Sequence, residues 1–195
     1  LFFMELIKQN TQTKIIKSLL VIFLGSIVLT ISAKVKIPFY PVPMTMQTFV
    51  VLFLGISFGY KIGLATVSLY LIEGIAGIPV FSNSPEKGVG IVYFTGPTMG
   101  YLIGFLLAVF LTGYLRLSDW TKKENNNIKL FFINLFKLTI SVSVIYIFGL
   151  LWLSSLIGYE KALLFGLKPF WLAELFKILL LTFLLPVALK LRRFI

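Results

Sequence analysis

The sequence contains no cysteine and no histidine, which removes several kinds of functional chemistry at once. Disulfides, thiolate nucleophiles, histidine general bases and the commonest zinc and haem ligands are all excluded. Acidic residues are scarce as well: there are seven, and the single aspartate, Asp119, lies in a predicted loop. A membrane-embedded enzyme would need a nucleophile or a metal site. We therefore expect a protein that is not an enzyme and that uses neither a metal nor a cofactor.

Charged residues make up only 13% of the chain, against roughly a quarter in soluble domains. Hydrophobic residues make up 58%, and the mean hydropathy is +0.99. Such a chain cannot cover itself with polar surface, so it belongs in a membrane. A spanning helix needs roughly 20 mainly apolar residues. The 195 residues therefore predict an all-α membrane protein, one domain over 1–195, built as a bundle of six transmembrane helices.

Apolar runs and chain breakers locate the six spans approximately at 15–33, 47–59, 62–76, 96–115, 130–156 and 170–191. The connection 34–45 is rich in proline. The stretch 77–95 contains several prolines, glycines and serines, and we interpret it as a long ordered loop. A polar loop covers 116–129. No small-residue cleavage site follows the first run, so we expect no signal peptide.

The net charge of +11 is distributed at the ends of the apolar runs, which suits membrane orientation better than nucleic-acid binding. With both termini inside, the inner segments hold eleven basic residues: Lys8, Lys14, Lys17, Lys61, Arg116, Lys122, Lys123, Lys129, Lys190, Arg192 and Arg193. The outer segments hold five: Lys34, Lys36, Lys87, Lys161 and Lys168. This asymmetry predicts a multi-pass protein of the bacterial inner membrane with both termini cytoplasmic.

Four ionisable residues inside the predicted spans need weighing, apart from the lysines at the cytoplasmic span ends: Glu73, Lys137, Glu174 and Lys177. Each costs about 2.5–3.5 kcal/mol on insertion scales, so each needs a reason. Lys137 lies near the cytoplasmic end of its span and can snorkel to the interface. The other three lie near the outer face, with Glu174 and Lys177 three residues apart on one helical face. These three residues either lock helices together or line a binding cavity. The cavity is the favoured interpretation, because ionisable residues inside a membrane tend to mark substrate or ion pathways.

Small residues recur every four positions at Gly96, Gly100 and Gly104 along the fourth span. Such a stripe lets two helices approach closely, so we interpret it as a packing face. Gly25 and Ala33 lie with a leucine on one face of the first span and predict a weaker version of the same contact.

Three segments occur in a characteristic order: 41–48 (PVPMTMQT), 73–81 (EGIAGIPVF) and 96–105 (GPTMGYLIGF). The sequence resembles the BioY family, the biotin-binding S components of energy-coupling factor (ECF) vitamin transporters. The resemblance implies a six-helix S-component fold, biotin capture from outside, and partnership with a transmembrane coupling subunit and two ATPases. The chain has no phosphate-binding loop, so ATP chemistry would come from partners. Transport with the coupling subunit and ATPases and transport without them both stay open, since some BioY proteins are reported to work alone.

The resemblance implies that seven residues bind the substrate: Gln47, Glu73, Phe81, Lys87, Tyr93, Glu174 and Lys177. A carboxylate paired with an amide or ammonium donor suits the ureido ring of biotin. Phe81 and Tyr93 would form apolar walls, and Lys87 would meet the valerate carboxylate. The family commonly has Pro-Gly-Asp at the start of the sixth helix. Here the segment 172–174 reads Leu-Ala-Glu, and Lys177 keeps the spacing. An S component for another small vitamin and a purely structural bundle are the alternatives.

Overall fold

The computed structural model describes residues 2–37, 42, 44–115, 117–121 and 127–192. The described elements are α1 (Phe2–Lys34), β1 (Lys36–Ile37), β2 (Met44–Thr45), α2 (Gln47–Ile75), a 3-10 helix (Gly90–Thr95), α3 (Met99–Tyr114), α4 (Asn127–Ile157), α5 (Tyr159–Gly166) and α6 (Trp171–Leu191). The two short strands pair antiparallel, with Lys36 opposite Thr45. The all-α prediction is therefore confirmed, with this strand pair as a small addition. Pro41, Pro43 and, in the predicted loop 116–129, residues 116 and 122–126 lie outside the described residues.

Four helices are long and apolar enough to cross a membrane: the part of α1 at Gln12–Lys34, α2, α4 and α6. The helix α3 is apolar too but has only 16 residues.

The helix α2 is two antiparallel arms rather than one continuous rod. Gly59, at φ 77° and ψ 172°, leaves the helical region, a conformation that glycine adopts without steric cost. The amide of Gln47 donates a hydrogen bond to the Tyr70 hydroxyl at 2.7 Å, although 23 residues separate them. A straight helix would hold these residues about 35 Å apart. The chain therefore reverses at Gly59, and the arms 47–58 and 60–75 correspond to the second and third predicted spans. With them the bundle has six membrane helices.

Glycines set the close approach of α3 to its neighbours. A Cβ on Gly104 would lie 2.7 Å from the Cα of Ile145 in α4, and one on Gly100 would meet the backbone of Phe148. These contacts confirm the packing role predicted for the stripe. Gly96 lies before α3 and instead faces the carbonyl of Tyr93.

The first span packs on α2 through the face that the small residues predict. A Cβ on Gly25 would lie 2.6 Å from Cγ2 of Thr66, and Leu29 and Ala33 are fully buried. The opposite face of α1 exposes large apolar side chains, among them Phe23 and Leu24, as a lipid-facing helix does.

The short helix α5 lies between the fifth and sixth predicted spans, a segment to which the sequence assigned no structure. Gly158, at φ 84°, turns the chain out of α4, and eight helical residues follow. Tyr101 donates a hydrogen bond from its hydroxyl to the Gly166 carbonyl at 2.9 Å, which ties α5 to the start of α3. The sequence of α5 does not reveal this tertiary contact. Eight residues are also too few for their pattern to predict a helix.

Pro186 interrupts the backbone hydrogen bonds of α6, and another part of the chain compensates. Proline has no N–H, so the carbonyl four residues earlier, that of Thr182, loses its helical donor. The indole N–H of Trp120 donates to this carbonyl at 2.9 Å. The Trp120 ring also packs edge-on against Phe131 and Phe183. The segment after α3 is thereby fastened to α6 by a hydrogen bond that the proline makes necessary.

Replacing Trp120 by phenylalanine should leave the Thr182 carbonyl without a donor and lower the stability by about 1–3 kcal/mol. Adding Pro186→Ala restores a backbone N–H at position 186, so the Trp120→Phe cost should shrink in that background. Thermal unfolding of the four proteins of this double-mutant cycle in detergent measures the coupling. The control is Trp171→Phe, because Trp171 is exposed. Equal costs for Trp120→Phe with and without Pro186 would contradict the compensation.

Candidate functional site

A cavity opens at the end of the bundle where α2 and α6 begin and where α1 and α4 end. It encloses about 550 Å³, counting its opening toward solvent. Its walls come from β2, both arms of α2, the segment 77–95 and the facing ends of α3, α4 and α6. Antiparallel helices alternate in direction, so one end of the bundle collects residues that lie far apart in sequence. A concave cavity lined mostly by apolar side chains, with a few polar groups among them, is typical of small-molecule sites.

A buried ion pair lies in this cavity wall. The ammonium of Lys177 is 2.8 Å from Oε1 of Glu174, and both side chains are less than a tenth exposed. The Lys177 ammonium also donates to the Thr45 carbonyl at 2.6 Å and to the Thr48 hydroxyl at 3.1 Å. An ammonium group has three donors, and all three are used. Lys177 therefore connects α6 to the start of α2.

The Glu174 carboxylate is satisfied on one oxygen and not on the other. Oε1 accepts hydrogen bonds from the Thr48 hydroxyl at 2.9 Å and from Lys177. Oε2 is buried and has no hydrogen-bond partner within 3.5 Å among the residues that the structure describes, although the Tyr146 hydroxyl interacts with this carboxylate. A buried acceptor without a donor costs free energy, about 1–3 kcal/mol and more for a charged group. A ligand that brings an N–H group to Oε2 would recover that cost.

A second polar group of the cavity wall, Gln47, connects the two α2 arms at the end away from their junction at Gly59. The Gln47 side-chain amide is buried and donates to the Tyr70 hydroxyl. An amide NH₂ carries two donors, and this contact uses one of them. The Gln47 carbonyl oxygen accepts a long hydrogen bond from the Thr45 hydroxyl at 3.3 Å. The orientation of the amide is thereby set by β2 on one side and by the second arm on the other.

Aromatic rings form the apolar wall opposite the polar groups. Phe81 stacks on Tyr93, with ring centroids 4.5 Å apart, and meets Tyr70 edge-on at 5.3 Å. Gly74 makes room for this arrangement, because a Cβ there would collide with the Phe81 ring. Phe81 is almost fully buried, so the segment 77–95 closes against the bundle through it.

Five of the seven predicted site residues line the cavity: Gln47, Phe81, Tyr93, Glu174 and Lys177. Glu73 is not among the described lining residues, although it was grouped with Glu174 and Lys177. It is half-buried and accepts a hydrogen bond from the Ser26 hydroxyl of α1 at 3.0 Å. One residue corresponds to about 100° of helix rotation. Gly74 faces Phe81, so Glu73 turns toward α1 instead.

Lys87 is also absent from the described lining of the main cavity. It is exposed on the segment 77–95 and lines a smaller adjoining pocket, which shares Tyr93 and Thr98 with the main cavity. The two sites are therefore neighbours, with Lys87 on the outer side of Tyr93.

Several polar lining residues were not predicted from the sequence. Two of them, Thr48 and Tyr146, interact with the ion pair. Thr48 stands between Glu174 and Lys177 and contacts both. It follows Gln47 in one of the three characteristic segments, which was the available signal. Tyr146 lines the cavity from the middle of α4, and no pattern in the sequence distinguishes it from other tyrosines.

Replacing Lys177 by methionine should leave Glu174 as a buried, unpaired charge and cost about 3–5 kcal/mol of stability. The double replacement Glu174→Gln and Lys177→Met removes both charges and should recover most of that loss. Thermal unfolding in detergent measures both effects. The matched control replaces the exposed neighbours on α5, Glu160→Gln and Lys161→Met. If Lys177→Met costs no more than Lys161→Met, the pair does not hold α6 to α2.

Comparison with known proteins assigns this chain to a family. The BioY family model matches residues 7–194. A biotin transporter BioY of Thermotoga maritima is 33% identical over 85% of this chain and 89% of its own length. A probable biotin transporter BioY of Pyrococcus horikoshii is 31% identical over 76% of this chain and 81% of its own.

A solved structure, the S-component for biotin from an ECF-type ABC transporter, has a similar fold. Its TM-score is 0.72 at 25% identity, and the alignment covers 93% of each chain. The family match covers nearly all of this sequence, and the shared fold covers 93% of it. The chain belongs to the BioY family.

Proposed function

We propose that this protein takes up biotin as the substrate-binding S component of an ECF-type transporter. The observation that carries the proposal is the buried Glu174 carboxylate, whose Oε2 has no hydrogen-bond partner among the described residues and whose side chain lines the cavity. Biotin carries a ureido ring with two N–H donors and one carbonyl acceptor. The relatives named above, which are biotin transporters, support the choice of ligand.

The polar groups of the cavity complement the ureido ring. Glu174 accepts from a ureido N–H through Oε2, and the charge makes this hydrogen bond stronger than a neutral one. Gln47 has a second amide N–H, which donates to the ureido carbonyl. Lys177 has used its three donors, so its role is to hold Glu174 rather than to bind the ligand. This assignment changes the role that the resemblance implied for Lys177.

The remaining parts of biotin meet the aromatic wall and the adjoining pocket. The bicyclic ring system packs against Phe81 and Tyr93, whose stacked rings offer an apolar surface. The valerate chain then extends past Tyr93, and its carboxylate meets the Lys87 ammonium on the exposed side. The adjoining pocket that Lys87 lines next to Tyr93 supports this path.

The proposed orientation puts the cavity outside the cell. The charge asymmetry favours cytoplasmic termini, and α1 begins and α6 ends opposite the cavity. The segment 77–95 then covers the outer mouth of the site. We also propose that the protein lies in the bacterial inner membrane; its apolar helices and its membership of a transporter family support a multi-pass membrane protein.

Biotin should bind the purified parent protein with sub-micromolar affinity by calorimetry. In the doubly neutral variant, Glu174→Gln with Lys177→Met, the acceptor charge is lost, and the affinity should fall by about 10- to 150-fold, the effect of about 1.5–3 kcal/mol expected for losing one hydrogen bond to a charged group. This variant avoids an unpaired buried charge, so a folded sample is expected. The exposed pair variant, Glu160→Gln with Lys161→Met, makes the same charge changes and should bind as the parent does.

A parent that fails to bind biotin below the micromolar range would refute the ligand assignment. A thermal-shift panel of other vitamins then tests the second candidate function, an S component for a different small vitamin. A larger shift with another vitamin than with biotin favours that candidate.

Uptake of labelled biotin by a biotin-requiring host should need the partners as well as this chain. We expect accumulation when the protein is expressed with a coupling subunit and two ATPases, because the chain has no phosphate-binding loop of its own. Partners whose ATPase carries a disabled phosphate loop are the control and should abolish accumulation. Equal uptake with and without partners would show that the chain works alone and would contradict this part of the proposal.

A further inference from the structure

Two lysines at the end of the first helix direct their ammonium groups at the backbone of the segment 81–84. Lys34, the last residue of α1, donates to the Phe81 carbonyl at 2.8 Å and to the Ser84 carbonyl at 2.6 Å. It also reaches the Ser84 hydroxyl at 3.3 Å. Lys36, in β1, donates to the Ser82 carbonyl at 2.6 Å and to the Asn83 side-chain oxygen at 3.1 Å. Together they contact all four residues of the segment.

The acceptors are neutral oxygens, and most are backbone carbonyls of an irregular turn. The turn supplies some of the donors itself, since the Phe81 carbonyl also accepts from the Ser84 N–H at 3.2 Å and from the Ser84 hydroxyl at 2.8 Å. The Ser82 and Ser84 carbonyls lie outside any helix or sheet ladder and accept from the lysines. An ammonium group offers three donors on a flexible stem and can serve several carbonyls that point in different directions. Lys34 uses all three donors in this way. The two lysines thus add hydrogen bonds to a segment that has no helix or sheet ladder.

This segment carries part of the cavity wall. Phe81 and Ser82 both line the cavity, and Phe81 stacks on Tyr93 and fills the space that Gly74 leaves. Lys34 is one of three donors to the Phe81 carbonyl, so it helps to hold the backbone that carries the ring. Neither lysine lines the cavity among the described residues.

The strand pair connects Lys36 to the ion pair as well. Lys36 lies opposite Thr45 in the two-stranded register, and the Thr45 carbonyl accepts from Lys177. The aromatic wall and the Glu174 side of the cavity therefore share one short sheet as a support.

We propose that Lys34 and Lys36 are positioning residues of the binding site: they hold the segment 81–84 so that Phe81 closes the cavity over the ligand. The proposal rests on the proposed function for the identity of the ligand. The lysines act through the backbone they hold, so their loss changes how long the ligand stays rather than how it is recognised.

The test combines a measurement without ligand and one with it. Lys34→Met with Lys36→Met keeps the apolar stems and removes the donors. Backbone amides in 78–95 should then exchange with deuterium about tenfold faster in ligand-free protein, as loss of charged hydrogen bonds would allow. Biotin dissociation should accelerate by about tenfold, while its association rate stays within about twofold of the parent.

Matched variants separate positioning from a general effect of charge or stability. Lys161→Met with Lys168→Met removes two exposed lysines near α5 and should change neither exchange in 78–95 nor dissociation. Lys34→Arg with Lys36→Arg keeps donors on both side chains and should restore slow dissociation to within about threefold.

Three results would overturn the proposal. Unchanged exchange in 78–95 would mean that the lysines do not hold the segment. Faster exchange with unchanged biotin dissociation would mean that the segment is held but does not control the ligand. Faster exchange spread evenly over the bundle would indicate a loss of global stability instead. A parent that binds no biotin refutes the proposed function, whereas the exchange of the ligand-free protein still decides whether the lysines hold the segment.

Discussion

The rest of the site depends on one buried ion pair, Glu174 with Lys177. In a hydrophobic bundle each of these charges alone would be costly, and together they remain tolerable because Thr45 and Thr48 supply further hydrogen bonds. The pair fixes the start of α6 against the start of α2. It also leaves one carboxylate oxygen without a hydrogen-bond partner among the described residues, and that oxygen gives the cavity its chemical preference for an N–H donor.

Side chains donate hydrogen bonds to backbone carbonyls at several places where a helix ends, is interrupted or is absent. Trp120 satisfies the carbonyl that Pro186 leaves free, Tyr101 reaches the end of α5, and Lys34 serves the turn at 81–84. A membrane environment offers little water for such groups, so each one must be met from within the protein. These contacts bind irregular segments to the helices, and in this way loops come to form a shaped wall.

The likeness to the BioY family and the geometry of the cavity support the same ligand by independent reasoning. The family likeness rests on sequence and fold, whereas the cavity argument rests on one unpartnered oxygen, one amide and a pair of stacked rings. The geometry also refines the likeness. Lys177 uses all its donors within the protein, and Glu73 turns away toward Ser26, so fewer charged groups face the ligand than the motifs suggested.

Composition and hydropathy by themselves predicted a helical membrane bundle, because a chain with so few charged residues cannot cover itself in water and its long apolar runs suit spanning helices. Motif order added the family, and spacing paired Glu174 with Lys177. Only the tertiary structure decided that α2 folds back at Gly59, that Thr48 joins the ion pair, and that Glu73 leaves the site. Hydrophobic periodicity predicts approximately on which face of a helix a residue lies. Which neighbour that face meets depends on contacts between segments far apart in the chain, and no local pattern encodes them.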